Sequence, residues 1–339
     1  MFELENNVRK NILQLKAYSS ARDEFSGKDG VFLDANENPY GSLNRYPDPQ
    51  QKKLKNKLSE LKSIPVENVF VGNGSDEVID ISFRIFCEPG KDKALTFSPT
   101  YGMYDVSSDI NNIELIKIPL DETFQIDFKT LETHLKDNDL KLILICSPNN
   151  PTGNILKNID WILERFKGIV IVDEAYIDFS KSDSYISKIE KYPNLIVSQT
   201  FSKAWGLAAA RVGTAYSDSK IISLFNKVKA PYNVSELNQI AAINALENFK
   251  EFSEKREIIL QQKLWLENEL SLIPLVKKVY PSDSNFLLIE TLDANKIYKN
   301  LVAQKVITRN RNSLVKNCIR ITVGSSEENI KLINALKKN

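Results

Sequence analysis

KLILICSPNNPTG, residues 141–153, runs through five apolar residues in a row and stops abruptly in a polar loop bracketed by two prolines. A run that short is too brief for a buried helix, and its isoleucines and the punctuation behind it favour a strand over 141–146, covered on both faces. The same pattern returns at 68–71, 93–97, 169–173 and 194–199, each time followed by a polar loop. Longer segments with helical spacing lie between. VIDISFRIF puts Val78, Ile81 and Ile85 on one stripe just after GNGSDE, so a helix opens near Ser75. Asp76 and Glu77 then fall in its first turn, where the helix dipole favours acids. Buried strands crossed over by helices predict an α/β fold.

At 339 residues the chain is long for one core and comfortable for two. Past Pro231 a charged helical stretch of one or two helices leads out of the first domain as a connector. NFLLIE and CIRITVG then read as strands, and ANKIYKNLVAQK and SSEENIKLINALKK as helices, the last with Ser325 and Glu328 at capping-box spacing. The expected division is an N-terminal arm over 1–30 associated with the small domain, a large domain over 31–232 and a small α/β domain over 233–339.

Composition narrows the function. Forty-five basic residues against 44 acidic leave a net charge of +1, which removes the electrostatic motive for nucleic-acid or anionic-membrane binding. Small molecules or a second copy are the expected partners. Cys87, Cys146 and Cys318 are far apart with no CxxC pair, as reduced core thiols of a cytoplasmic protein would be. No apolar run approaches the ~18 residues needed to span a bilayer. His134 is the single histidine and sits in a polar helical stretch, which reads as surface. A histidine-based triad or multi-histidine metal site is therefore excluded within one chain.

In α/β sheets ligands gather at the strand ends, so the five polar loops carry the chemistry. The glycine turn at Gly74, Ser75 and Asp76 can offer backbone N–H groups to an anion, or can be only a tight connection. Arg211 can add a fork of donors to the same anion, or form a surface ion pair. Asp173 ends an apolar strand, where a carboxylate needs a cation or several donors unless it merely caps the next turn. Tyr176 and Asn150 offer donors, and Tyr101 a flat face for stacking. Lys203, in TFSKAWGLAAARVG (200–213), becomes a nucleophile if neighbouring cations and partial burial lower its pKa, and is otherwise one more solvated lysine.

An amine for an aldehyde, an acid for a ring nitrogen, donors for a ring oxygen and an anion site for a phosphate are together the needs of pyridoxal 5'-phosphate. LDANENPYG, NRYPDP, GNGSDE, FSPTYGMYD, CSPNNPTGN, VDEAYIDF, TFSKAWGLAAARVG and CIRITVG, in this order and spacing, resemble the histidinol-phosphate aminotransferase family of fold-type I, aspartate-aminotransferase-like enzymes, over roughly residues 15 to 335. The resemblance implies a large domain with a mainly parallel central sheet flanked by helices, a small α/β domain, and transamination between L-histidinol phosphate and 2-oxoglutarate with ping-pong kinetics. It implies that Lys203 bonds the cofactor and shuttles the proton, that Asp173 pairs with the ring nitrogen, that Tyr176 and Asn150 meet the ring oxygen and that Tyr101 stacks. Gly74, Ser75, Asp76, Ser202 and Arg211 would hold the cofactor phosphate, joined by Tyr46 from the second subunit of a homodimer. Arg320 would take the substrate's anionic group, with Arg309 and Tyr18 as helpers and Asn36 lining the pocket.

Three features depart from the family pattern. Ala17 stands where proline is frequent, Trp205 and AAAR (208–211) stand where phenylalanine and a glycine before the arginine are common, and the short 309–319 segment holds both Arg309 and Arg311, either of which can reach a substrate phosphate. A threonine-phosphate decarboxylase-like lyase, an aromatic amino-acid aminotransferase and a binding protein without turnover are the competing readings.

Overall fold

The computed structural model describes residues 2–19 and 30–338. In chain order its helices and strands are α1 (Lys10–Gln14), α2 (Lys52–Lys62), β1 (Val69–Asn73), α3 (Gly74–Phe86), β2 (Lys93–Ser98), α4 (Met103–Ile110), β3 (Glu114–Pro119), α5 (Phe128–His134), β4 (Leu140–Cys146), α6 (Ile159–Arg165), β5 (Ile169–Asp173), β6 (Leu195–Thr200), β7 (Val212–Ser217) and α7 (Ser219–Val228). After them come α8 (Glu236–Glu247), α9 (Phe249–Ser271), β8 (Val276–Val279), β9 (Phe286–Thr291), α10 (Ala294–Ala303), β10 (Arg309–Asn310), β11 (Cys318–Thr322) and α11 (Ser326–Lys337).

Seven strands form one sheet in the order β1-β7-β6-β5-β4-β2-β3, parallel except where β7 meets β1 and β6. Alternation along each strand divides its side chains between two cores. Ile143, Ile145, Val170, Val172 and Val197 pack under α2, α5, α6 and α8, while Leu142, Leu144, Ile169, Ile171 and Ile196 pack under α3, α4 and α7. Sheet and helices therefore form three layers, with both sheet faces dry. A smaller antiparallel sheet, β10-β11-β9-β8, is covered on one face by α9, α10 and α11. The connector is two helices: Ala242 of α8 packs into the large core and Leu266 and Leu270 of α9 into the small one.

Each of the five expected strands is present within two residues of its anticipated limits, and the capping box closes, with Glu328 N–H donating to Ser325 Oγ and Ser325 N–H to Glu328 Oε2. Strands β3 and β7 were not expected. β3 is an edge strand whose Glu114 and Lys117 are exposed. β7, VGTAYS, is wholly buried although most of its residues are small or polar, because its hydroxyls find backbone partners: Ser217 Oγ donates to Leu195 O at 2.6 Å. His134 ends α5 half-buried, in place of the surface position expected from its polar neighbours.

Candidate active site

The C-terminal ends of β4 and β5 place Cys146 beside Asp173, β6 runs two residues past the Ser198 that pairs with Asp173 to end at Thr200, and all three of Cys146, Asp173 and Thr200 line a cavity. Asp173 forms its floor at 2% exposure. Its Oδ2 accepts from the Tyr104 hydroxyl at 3.0 Å and its Oδ1 from the Ala175 N–H at 3.2 Å, and no basic side chain pairs with it among the described residues. Burial pushes its carboxyl up to about 6. Tyr104 is fully buried on α4, and the same burial holds its hydroxyl well above the usual phenol range, so it stays a donor.

Lys203 stands in the turn after β6, exposed at the cavity mouth, with its amine 5.7 Å from the centre of the Tyr176 ring. Its pKa is lowered first by the amine's partial burial and then by the charge of Arg320. Tyr176 is buried edge-on against Phe286, with centroids 5.1 Å apart. Asn150 joins the two halves of the molecule. Its Nδ2 donates to the Tyr176 hydroxyl at 3.3 Å, and its Oδ1 accepts from Arg320 Nη1, which fixes which way the amide faces.

The opposite end of the cavity is built by a close approach. A Cβ on Gly213 would lie 2.2 Å from the carbonyl carbon of Gly74, so β7 can cross the first turn of α3 only with glycine at that position. Strand β7 pairs Gly213 with Thr200 and Val212 with Asn73, which delivers Arg211 to the N-terminus of α3. Its Nη2 donates to Asp76 Oδ2 at 3.1 Å, and Tyr101 donates to Asp76 Oδ1 at 3.0 Å. Ser75 and Ser202 also line this end, and Ser202 N–H donates to Thr200 Oγ1 at 3.1 Å. The N-terminus of a 13-residue helix with a guanidinium beside it is a ready place for an anion.

Arg320 reaches the cavity from the small sheet, its guanidinium 5.2 Å from the centre of the Phe286 ring. Arg309 pairs with it in register and lines an adjoining cleft, while burial and two neighbouring arginines lower Arg311 to about 10. Tyr18, Asn36 and Tyr46 are not among the residues that line the cavity. Tyr18 is exposed, and Asn36 and Tyr46 line an open cleft beside α8, where Tyr46 stacks on Tyr232 at 4.3 Å. Sequence reasoning passed over Tyr104, Gly213 and the cavity-lining Cys146 and Thr200. Only Tyr104 left a usable signal, three positions after Tyr101 and so on the same face of a helical turn.

A nucleophilic amine over a buried acid, with an anion site at one end and an arginine at the other, defines an enzyme that handles amino groups through a bound ring. The family described as aminotransferase class I and II matches residues 27–336, and this chain belongs to it. Within that family the chain is similar to the histidinol-phosphate aminotransferase of Cytophaga hutchinsonii, 49% identical over 99% of each chain. It is likewise similar to that of Bacteroides thetaiotaomicron, 50% identical over 100% of this chain and 99% of the relative. The crystal structure of histidinol-phosphate aminotransferase from Sinorhizobium meliloti in complex with pyridoxal-5'-phosphate superposes with a TM-score of 0.80 at 21% identity, covering 97% of this chain and 96% of that one, a likeness of fold.

Proposed function

We propose that this chain transfers the amino group of L-histidinol phosphate to 2-oxoglutarate, giving imidazole acetol phosphate and L-glutamate in histidine biosynthesis, with pyridoxal 5'-phosphate in the cavity above β4, β5 and β6. Relatives at 49% and 50% identity over essentially the whole chain, each named histidinol-phosphate aminotransferase, support histidinol phosphate as the amino donor. The observation that carries the cofactor is Asp173: a carboxyl sealed at a cavity floor, raised by desolvation and lacking a basic partner among the described residues, is satisfied by the protonated nitrogen of a pyridine ring. The other donors fit the rest of the group. Lys203 serves the aldehyde, Tyr101 the ring face, and Asn150 and Tyr176 the ring oxygen. Gly74, Ser75 and Asp76 hold the phosphate mainly through backbone N–H groups, helped by Ser202 and Arg211.

When bound, the cofactor supplies an aldehyde that takes up the amino group and a ring that accepts the electron pair released at the substrate carbon. Asp173 keeps the ring nitrogen protonated, and Tyr104 holds that carboxylate in place. Lys203, its pKa lowered by burial and Arg320, would move the proton between the substrate α-carbon and the cofactor's aldehyde carbon, in opposite directions in the two half-reactions. Arg320 takes the carboxylate of 2-oxoglutarate, steered by the Asn150 amide and the Phe286 ring. Arg309 or Arg311, with Tyr18 and Asn36, meets the remainder of histidinol phosphate. Tyr46 from a second copy completes the phosphate end, so the working unit is a homodimer. Three free, buried cysteines support a cytoplasmic setting.

Two enzymes test this reading, the wild type and Lys203→Ala. Loaded with pyridoxal phosphate, the wild type is expected to yield a borohydride-stable label on residue 203 that the variant lacks, and its visible absorbance is expected to bleach with histidinol phosphate and not with threonine phosphate. Bleaching by neither sinks the substrate assignment. Carbon dioxide release without need for 2-oxoglutarate moves the chain to the lyases, and preference for a carboxylated aromatic donor moves it to the aromatic aminotransferases.

A further inference from the structure

Trp205 follows Lys203 by two residues within one tight turn, closed by Gly206 N–H donating to Lys203 O at 3.1 Å, with Gly206 at φ 69. Its ring lies flat on Phe252 of α9, with centroids 3.9 Å apart and planes 14° from parallel. Phe201 and Phe249 tilt against it at 5.4 Å and 6.1 Å. Phe252 belongs with Tyr176, Phe179, Ala204 and Phe286 to a separate apolar cluster at the joint between the two bodies. That cluster holds one residue next to the reactive lysine, Ala204, and one ring under the Arg320 guanidinium, Phe286. Both α9 and β9 are rooted in the small core through Leu266, Leu270, Leu287 and Ile289.

We propose that Trp205 is a positioning residue for Lys203: stacked on Phe252, it transmits the placement of the small body, and with it of Arg320, to the turn that carries the amine. The stack is the shortest aromatic contact in the joint, and the turn behind it is only four residues long, so a displacement of α9 reaches Lys203 with little slack. A flat aromatic ring on the Phe252 face gives the turn a broad, rigid contact with α9. An anion that draws Arg320 toward the cavity therefore also sets where the amine stands. This rests on Lys203 being the group that bonds the cofactor.

The test begins with the cofactor-free chain, where competitive acetylation of Lys203, followed by mass spectrometry across pH, reads the amine directly. Trp205→Ala is expected to move the labelling midpoint up by about half a pH unit or more, as the turn opens to water. Phe252→Leu is expected to do the same from the other side of the contact, and the double variant no more than either alone, as coupled residues behave. Trp205→Phe, which keeps a ring on Phe252, is expected to return the midpoint to the wild-type value. In the loaded enzyme, Trp205→Ala is expected to lower kcat about tenfold while KM for each substrate moves less than about threefold. A wild-type labelling profile in Trp205→Ala overturns the proposal, as does additivity in the double variant or a Trp205→Phe as displaced as the alanine. If the wild type fails to take up pyridoxal phosphate, the functional reading falls, while the labelling of the cofactor-free chain still decides the role of Trp205.

Discussion

At the cavity floor Tyr104 is fully buried and Asp173 nearly so, whereas in the segment over residues 30–47 Val31, Leu33 and Tyr40 are 89%, 88% and 83% exposed. Both regions mix aromatic, apolar and acidic side chains, and both were singled out as parts of one site. One chain completes the first by itself: Tyr104 of α4 and the Ala175 N–H after β5 each donate to one oxygen of Asp173, which lines the cavity. The second carries an apolar surface that the described residues do not cover, and an exposed patch of that kind marks an interaction surface. The floor should therefore behave as a property of the single chain, and the segment as a property of the assembly.

Asp173→Asn tests the floor most severely. Turnover is expected to fall at least about a hundredfold, because the fixed charge facing the ring is gone. The cofactor-free chain should meanwhile become more stable. The folded-state pKa of Asp173, about 6, lies above the ordinary 3.8, so its contribution is intact below about 3.8 and is lost as pH rises through 6. At pH 8 the buried charge costs about 3 kcal/mol by that shift, and the asparagine removes most of it. Glu174, raised to about 7 by its own burial, keeps its share in both proteins. Denaturant melts of both at pH 4 and pH 8 check this: equal stability at the two pH values would dissolve the idea of a floor built under electrostatic stress.

Tyr104→Phe sharpens the same point at smaller scale. Removing a donor from a buried carboxylate costs about 1–3 kcal/mol, so pyridoxal phosphate should bind roughly tenfold more weakly, measured by fluorescence titration. Unchanged affinity would mean that Ala175 N–H alone orients the acid. The mildest change falls on the other region. Leu33→Asp is expected to leave the circular dichroism spectrum and the stability of a single chain within about 0.5 kcal/mol, since the residue is exposed. It should shift sedimentation from the paired to the single species. If this variant unfolds the chain while Asp173→Asn leaves it intact, the two regions have been assigned the wrong way round.

Much of this was legible beforehand because it is local. Leu142 to Cys146 and Ile169 to Val172 are apolar without interruption, so the pairing of strand and polar loop shows along the chain itself. Asp173 ends such a run and Asn150 and Lys203 lie within four residues of a strand end, and strand ends in one sheet must converge. Strand β7 was hidden because its threonine and serine look like loop until the neighbouring backbone that accepts from them is in view. The spacing from Tyr101 hinted at Tyr104, but its bond to Asp173 was hidden because nothing near it in the chain announces a partner 69 residues away. Arg309 and Arg311 remained alternatives because a two-residue strand leaves no periodicity to orient them.

The order of residues alone pointed to the layered α/β architecture and to the edge of the sheet where the chemistry collects, both consequences of hydrophobic period and chain direction, while the family resemblance singled out Lys203 and Asp173 among the residues at that edge. Only the folded molecule decided that Gly213 lets Arg211 reach the start of α3, that Tyr104 secures Asp173, and that the turn bearing Lys203 leans on α9 through Trp205 and Phe252. Those contacts join positions from 47 to 139 residues apart, and such distances close through packing, to which no local pattern in the chain gives access.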